Sequence, residues 1–127
     1  MKIEKFEDIK AWQVAKEVVI EVYDITRNTN LSRDFGLRDQ IQRSSVSIMS
    51  NISEGFERES KREFIQYLII SRASAAETKS LLYVVSELGY IDKQRFNGLY
   101  NKLTEIAKMI NGFIKYLRSY KPIRPRN

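Results

Sequence analysis

FGLRDQIQRSSVSIMSNISEGFER, residues 35–58, is the stretch around which the rest of the chain has to be arranged. Its middle is crowded with serines, which are mediocre helix formers. Placed at about 100° per residue, the side chains nevertheless sort onto separate faces. Leu37, Ile41, Ile48, Ile52 and Gly55 fall within one narrow apolar stripe. Gln40, Arg43, Ser47, Asn51, Glu54 and Arg58, spaced 3, 4, 4, 3 and 4, form a polar stripe on its flank. A solvated face normally carries Lys and Glu rather than Ser and Asn, so this flank should meet protein or ligand. Ser45, Val46, Met49 and Phe56 widen the apolar arc beyond what one core requires. The helix is therefore either deeply embedded or in contact with a second surface.

The totals limit the chemistry. At 127 residues with 43% hydrophobic content, the chain suits one domain with a real core. It has no cysteine and no histidine, which removes disulfides, thiolate sites, the commonest general base and the commonest metal ligand together. No apolar run approaches the roughly 18–20 residues that span a bilayer. The start, MKIEKFEDIKAW, lacks a signal-peptide core and already carries acids. A soluble cytoplasmic protein with no membrane partner is expected.

The net charge of +6 is unevenly placed. Bases and acids number five and six in residues 1–31, six and six in 32–63, and two and two in 64–91. Residues 92–127 hold nine bases against Asp92 and Glu105, a balance of +7, so the whole excess lies in the last quarter.

Four helices follow from periodicity and end signals. The first is expected over about residues 8–27, with Asp8 as N-cap and Phe6 available to pack. Ile9, Trp12, Val19, Tyr23 and Thr26 lie beside Ala11, Ala15, Val18, Val22 and Ile25, an unusually wide apolar arc. The turn formers NTNLSRD close it, and the second helix covers about 34–57, with Gly36 near its start. Ser60 and Glu63 have capping-box spacing, opening a third helix over about 61–88. Phe64, Leu68, Ser71, Ala75, Thr78, Leu82 and Val85 repeat as a heptad seam with a small-residue middle, where a partner helix can approach closely. Glu77 lies in that zone and should be paired, with the arginines of the second helix as candidates. Gly89 reads as a left-handed C′ residue and Asp92 as the cap of a fourth helix over about 93–119. Phe96, Leu99, Leu103, Ile106, Ile110, Phe113 and Leu117 form the cleanest seam of the chain. Residues 120–127, with two prolines, read as a basic extended or disordered tail. Short loops between long helices specify an all-α, antiparallel up-down-up-down four-helix bundle.

Little catalytic chemistry is available. Glu54, Glu57, Glu59, Glu63 and Glu77 could in principle build a carboxylate metal site, but the di-iron pattern in bundles needs Glu-x-x-His. Ser47 or Ser50 lacks a plausible base, and the five glycines are scattered rather than gathered in a phosphate loop. No enzyme activity, metal or cofactor is expected. The polar stripe has three readings: internal hydrogen bonding that fixes helix register, a polar subunit interface, or a ligand site. The basic segment has two: a solvated face and frayed tail, or a nucleic-acid contact through Lys108, Lys115, Arg118, Lys121, Arg124 and Arg126. Tyr100, Tyr116 and Tyr120 lie among these bases and could stack on unpaired bases. Such charge on one chain binds weakly, whereas an assembly of several chains gains avidity.

The opening stretch also resembles the signature of the four-helix-bundle family of 23S rRNA intervening-sequence proteins, also labelled S23 ribosomal proteins, which is related to the accessory variability protein of diversity-generating retroelements. That pattern is close to FGL-x-x-Q-I-R-R-A-A-V-S-I-x-S-N-I-A-E-G-x-x-R. The chain agrees with it at Phe35, Gly36, Leu37, Gln40, Ile41, Arg43, Val46, Ser47, Ile48, Ser50, Asn51, Ile52, Glu54, Gly55 and Arg58. Trp12, Ala15, Phe64, Leu68, Ser74, Glu77 and Leu88-Gly89-Tyr90 also fall where the pattern expects them, so the resemblance covers roughly residues 6–118. Ser44, Ser45 and Ser53 stand where alanine is usual, Ala73 where glycine is common, and Asn30-Leu31 replaces a Phe-Pro. The resemblance implies a bacterial, ring-shaped homopentamer with a nucleic-acid-associated role. In the retroelement branch it further implies a reverse transcriptase as partner. The expectation is a non-enzymatic homo-oligomer that binds structured RNA or DNA through its C-terminal bases. Gln40, Arg43, Ser47, Asn51, Glu54, Arg58 and Glu77 would then hold helix or subunit contacts. The alternative is a protein–protein assembly module with no nucleic-acid role.

Overall fold

The computed structural model describes residues 2–119, which form four long helices: α1 (Lys10–Asn28), α2 (Phe35–Phe56), α3 (Lys61–Glu87) and α4 (Lys93–Ser119). Each packs on its neighbours in cyclic order, α1 on α2 and α4, α3 on α2 and α4, so the core runs along the centre of an antiparallel bundle. Both seams read from the sequence face that core. Phe64, Leu68, Ser71, Ala75, Thr78, Leu82 and Val85 are all buried on α3. Leu99, Leu103, Ile106 and Ile110 are buried on α4, joined by Ile114, while Phe96, Phe113 and Leu117 flank them.

The helix ends follow local chemistry, with one difference from expectation. Asp8 does not cap α1: its carboxylate turns back to accept from the backbone N–H groups of Glu4 and Lys5, at 3.0 and 3.3 Å, closing a short 3-10 turn over Phe6–Asp8. Packing of Phe6 on Trp12, ring centroids 5.2 Å apart, holds that turn against α1, which begins after an uncapped Ile9. Asp34 caps α2 through the Leu37 N–H and uses its other oxygen to accept from the Tyr90 hydroxyl at 2.9 Å, tying the α1–α2 and α3–α4 loops together. Ser60 accepts from the Glu63 N–H at 2.9 Å, one half of the expected capping box. Gly89 has φ +81°, and Tyr90 N–H bonds back to the Val85 carbonyl, so α3 ends in a Schellman turn. Asp92 caps α4 through the Arg95 N–H at 2.8 Å.

The wide apolar arc of α1 splits in two. Ala11, Val14, Ala15, Val18, Val22, Ile25 and Thr26 are buried, whereas Trp12, Val19 and Tyr23 are only half-buried. Leu31, inside the stretch of turn formers, is fully buried and plugs the end of the bundle between α1 and α2.

Candidate functional site

The polar stripe of α2 lies largely along its seam with α3, where small residues let the two helices approach. Ser44 and Thr78 hydroxyls are 2.8 Å apart, as are those of Ser47 and Ser74. Ser71 donates to the Ile48 carbonyl at 2.7 Å, and Asn51 donates to the Ser47 carbonyl and hydroxyl at 2.8 and 2.9 Å. Among the described residues no buried side-chain polar atom lacks a partner, which is what a seam of hydroxyls needs to be tolerated in a core. Gly55 completes the approach: a Cβ there would meet Tyr67 Cβ at 2.6 Å and Phe64 Cδ1 at 2.9 Å.

Four of the six stripe residues, and Glu77 of α3, therefore act within the chain. Gln40 Nε2 donates to Glu77 Oε2 at 3.5 Å, so the partner of Glu77 among the described residues is an amide rather than the expected α2 arginine; Arg38 pairs instead with Asp39. Arg58 bonds the Tyr67 hydroxyl and lies over its ring at 5.0 Å. Arg43 and Glu54 are different. Both are exposed on the outer side of α2, with no hydrogen bond or ion pair among the described residues. Arg43 borders a shallow hollow with Tyr23, Asp39, Gln42, Val46 and Ser50.

The bases of the last quarter also divide. Arg95 and Lys102 belong to an ion-pair network with α1: Arg95 reaches Glu21 at 3.3 Å and Asp24 at 2.6 Å, and Lys102 reaches Glu17 at 3.4 Å and Glu21 at 3.7 Å. The Arg95 hydrogen bond, then that of Asn28, holds the Asp24 carboxyl below its usual value, and the hydrogen bonds to Asp24 and then Glu21 raise Arg95. Lys108, Lys115 and Arg118 remain exposed on the solvent side of α4. At about 100° per residue these three lie within a sector of roughly 80°. Lys121, Arg124 and Arg126, with Tyr120 and the rest of the expected tail, lie outside the described residues.

Tyr100 is not available for stacking on a ligand. It is packed against Phe96 and Tyr83, centroids 5.5 and 5.7 Å away, and carries Lys79 Nζ over its ring at 4.6 Å. Tyr116 is 60% exposed and packs edge-on to Phe113, centroids 6.5 Å apart. It stands at the rim of an open cleft of about 680 Å³ at the end of the bundle, lined by Lys2, Ile3, Phe56, Phe64, Phe113, Tyr116 and Leu117. Sequence reasoning missed this cleft, because its walls come from α2, α3, α4 and the lead-in, and only the hairpin crossing at Gly55 brings Phe56 to Phe64. It also missed the exposed apolar residues of α3 and its C-cap, Ile70 (48%), Val84 (45%) and Leu88 (55%), whose spacing of 14 and 4 was the available signal.

Comparison with known proteins agrees with the fold. The family described as 23S rRNA-intervening sequence protein matches residues 7–112. A crystal structure at 1.70 Å of a protein of unknown function from the S23 ribosomal protein family of Bacteroides thetaiotaomicron superimposes with a TM-score of 0.76. It is 28% identical and covers 83% of this chain and 95% of its own. No curated protein matches the sequence. Among the described residues no helix is long and apolar enough to cross a membrane.

Proposed function

The chain belongs to the 23S rRNA-intervening sequence protein family, and from that premise we propose that it is a non-enzymatic, homo-oligomeric bundle protein that binds structured RNA or DNA through the basic face of α4. The observation that carries this reading is the division among the C-terminal bases. Arg95 and Lys102 are neutralised by the acids of α1, while Lys108, Lys115 and Arg118 share one exposed sector and have no ion pair among the described residues. Charge held this way binds phosphates by counterion release and reads no sequence. Lys121, Arg124 and Arg126 belong to the same proposal by their place in the sequence.

Self-association supplies the avidity that one such face lacks. The homopentamer implied by resemblance is part of the proposal, and the outer α2–α3 surface is its contact. That surface carries Arg43 and Glu54, opposite charges without partners among the described residues, beside the exposed Ile70, Val84 and Leu88.

The test is binding of a structured RNA at a series of salt concentrations, for the whole chain and for one ending at Arg118. The proposal expects a steep linear fall of log K with log salt and a shallower slope for the shorter chain, by roughly one unit per lost phosphate contact. A flat response refutes it. Solution mass checks the assembly: a monomer at micromolar concentration refutes that part. The same apolar row on α3 favours a second reading, an assembly module for another protein; an oligomer that binds no nucleic acid at low salt would point there.

A further inference from the structure

We infer that the nucleic-acid surface is a single cationic row along the α3–α4 seam, completed by Arg72 and Lys79 of α3, and that it takes strand phosphates without reading nucleobases. This rests on the nucleic-acid reading above and deepens it by naming the surface and what that surface recognises. On α4, positions 100, 104, 108, 111, 115 and 118, spaced 4, 4, 3, 4 and 3, share one sector of roughly 80°. Lys108, Lys115 and Arg118 occupy three of them. Two of the others carry a cation delivered across the seam. Arg72 Nη1 donates to Asn111 Oδ1 at 2.7 Å, which sets its guanidinium on the turn of α4 between Lys108 and Lys115. Lys79 Nζ lies over the Tyr100 ring at 4.6 Å, about two turns before Lys108. Five positive charges therefore line roughly 27 Å of α4, at about 1.5 Å of rise per residue.

Both contacts across the seam leave the cation charged and able to bind. Asn111 occupies one of the five N–H donors of Arg72, and the Tyr100 ring carries no opposing charge. Both side chains are half-buried, so their stems are already ordered before a phosphate arrives. The acids are turned away. Residues 64–91 hold two bases and two acids, but the helix separates them: Glu77 accepts from Gln40 on the α2 side, while Arg72 and Lys79 reach α4. Glu87 is the last residue of α3, and Glu105, the one acid of α4, stands about 100° round from the middle of the row. Arg95 and Lys102, whose charge α1 takes up, lie on the opposite side of α4. The one ring in the row is Tyr100, packed on Phe96 and Tyr83 and covered by Lys79, so the row offers a nucleobase no platform. A line of cations without an open ring fits the phosphodiester chain of a duplex, whose charge is the same for every sequence.

The experiment measures binding of the full-length protein to a fluorescently labelled RNA duplex of about 20 base pairs, and to a DNA duplex of the same sequence, across a salt series. The proteins are wild type, R72Q, K79Q, K115Q, R27Q and the double variant R72Q/N111K. On both duplexes R72Q, K79Q and K115Q should each weaken binding roughly eightfold at about 0.1 M salt and lower the slope of log K against log salt by roughly one, the share of one phosphate contact. R27Q removes the same charge from an exposed base of α1, held over the Tyr23 ring at 5.8 Å, and should leave the slope alone. R72Q/N111K returns a cation to the same turn of α4 and should recover the affinity and slope of wild type, which it would not do if Arg72 only braced α3 against α4. If R72Q and K79Q bind as R27Q does while K115Q keeps its effect, the inference is overturned and the basic-face reading stands. Losses confined to one of the two duplexes overturn it as well, because the phosphates are common to both. If K115Q too is without effect, or wild type binds neither duplex at low salt, both readings fall. Thermal unfolding of each variant separates loss of charge from loss of fold; should R72Q lose the fold with its Asn111 bond, K79Q carries the same test.

Discussion

Gly55→Ala should destabilise the protein although alanine is the better helix former. Replacing a helical glycine by alanine is worth about 1 kcal/mol in favour of the helix when the added methyl is free. At Gly55 it is not free. The new Cβ would stand 2.6 Å from Tyr67 Cβ and 2.9 Å from Phe64 Cδ1, and Tyr67 Cβ is fixed to the α3 backbone, so no rotamer change relieves the contact. Restoring an ordinary separation requires the helices to part by about 1 Å, and a gap of that size forfeits a quarter to a half of each dispersion contact along the seam. Overpacking of this kind costs about 1–3 kcal/mol, and lengthening of the nearby Ser71–Ile48 bond adds to it. Net of the propensity gain, a loss of about 1–2 kcal/mol is expected, or roughly 3–8 °C in Tm for a domain of this size. Gly98→Ala is the control: it lies within α4 with nothing within 4 Å of its Cβ and should stabilise by about 0.5–1 kcal/mol. Urea unfolding followed by circular dichroism on both variants gives the comparison. If Gly55→Ala is as stable as wild type or gains stability as Gly98→Ala does, the close approach of α2 and α3 is not what Gly55 serves.

The hydroxyl seam makes a different claim. Ser44→Ala and Thr78→Val should each cost about 1 kcal/mol, and the double variant less than the sum, because the 2.8 Å bond can be lost only once; strict additivity in a double-mutant cycle would remove the pairing from the account. The α1–α4 ion pairs make a pH-dependent one. Asp24 is held below its usual pKa by Arg95, so its contribution is present above the unfolded carboxylate value of about 3.9 and fades as pH falls through the lower folded value. Arg95→Met should move the Asp24 titration upward in an NMR pH series and flatten that part of the acid limb; an unmoved titration would mean that the contact is not kept in solution. At the other extreme Tyr90 donates to Asp34, which raises the phenol above its ordinary value of 10.0. Its contribution is full below pH 10 and disappears as the phenol ionises, so Tyr90→Phe should lose stability at neutral pH and show a flatter alkaline limb. An alkaline limb identical to that of wild type would detach Tyr90 from it.

Periodicity and end signals are local, and they made the fold legible. The alternation of 3 and 4 along Phe64–Val85 and Phe96–Ile110 can be satisfied only by a buried helix face, so the bundle and its seams follow from residue order alone. Caps at Asp34, Ser60, Asp92 and the glycine at 89 are equally local, since each bonds backbone within a few residues. Asp8 was misread because its spacing allows it to cap either the following helix or the preceding turn; packing of Phe6 on Trp12 decides between them. What a polar or charged side chain does depends on what lies across the gap, and adjacency in three dimensions is absent from the sequence. Ser47 and Asn51 became part of a hydrogen-bonded seam and Arg43 and Glu54 did not, although all four lie on one stripe. Arg95 and Lys102 look like Lys108 and Lys115 in the sequence; only the position of α1 beside α4 sets the first pair against Glu21 and leaves the second pair facing water. The stretch from Phe35 to Arg58 thus determined the kind of protein this is, and helix packing decided which of its charges are left to meet a partner.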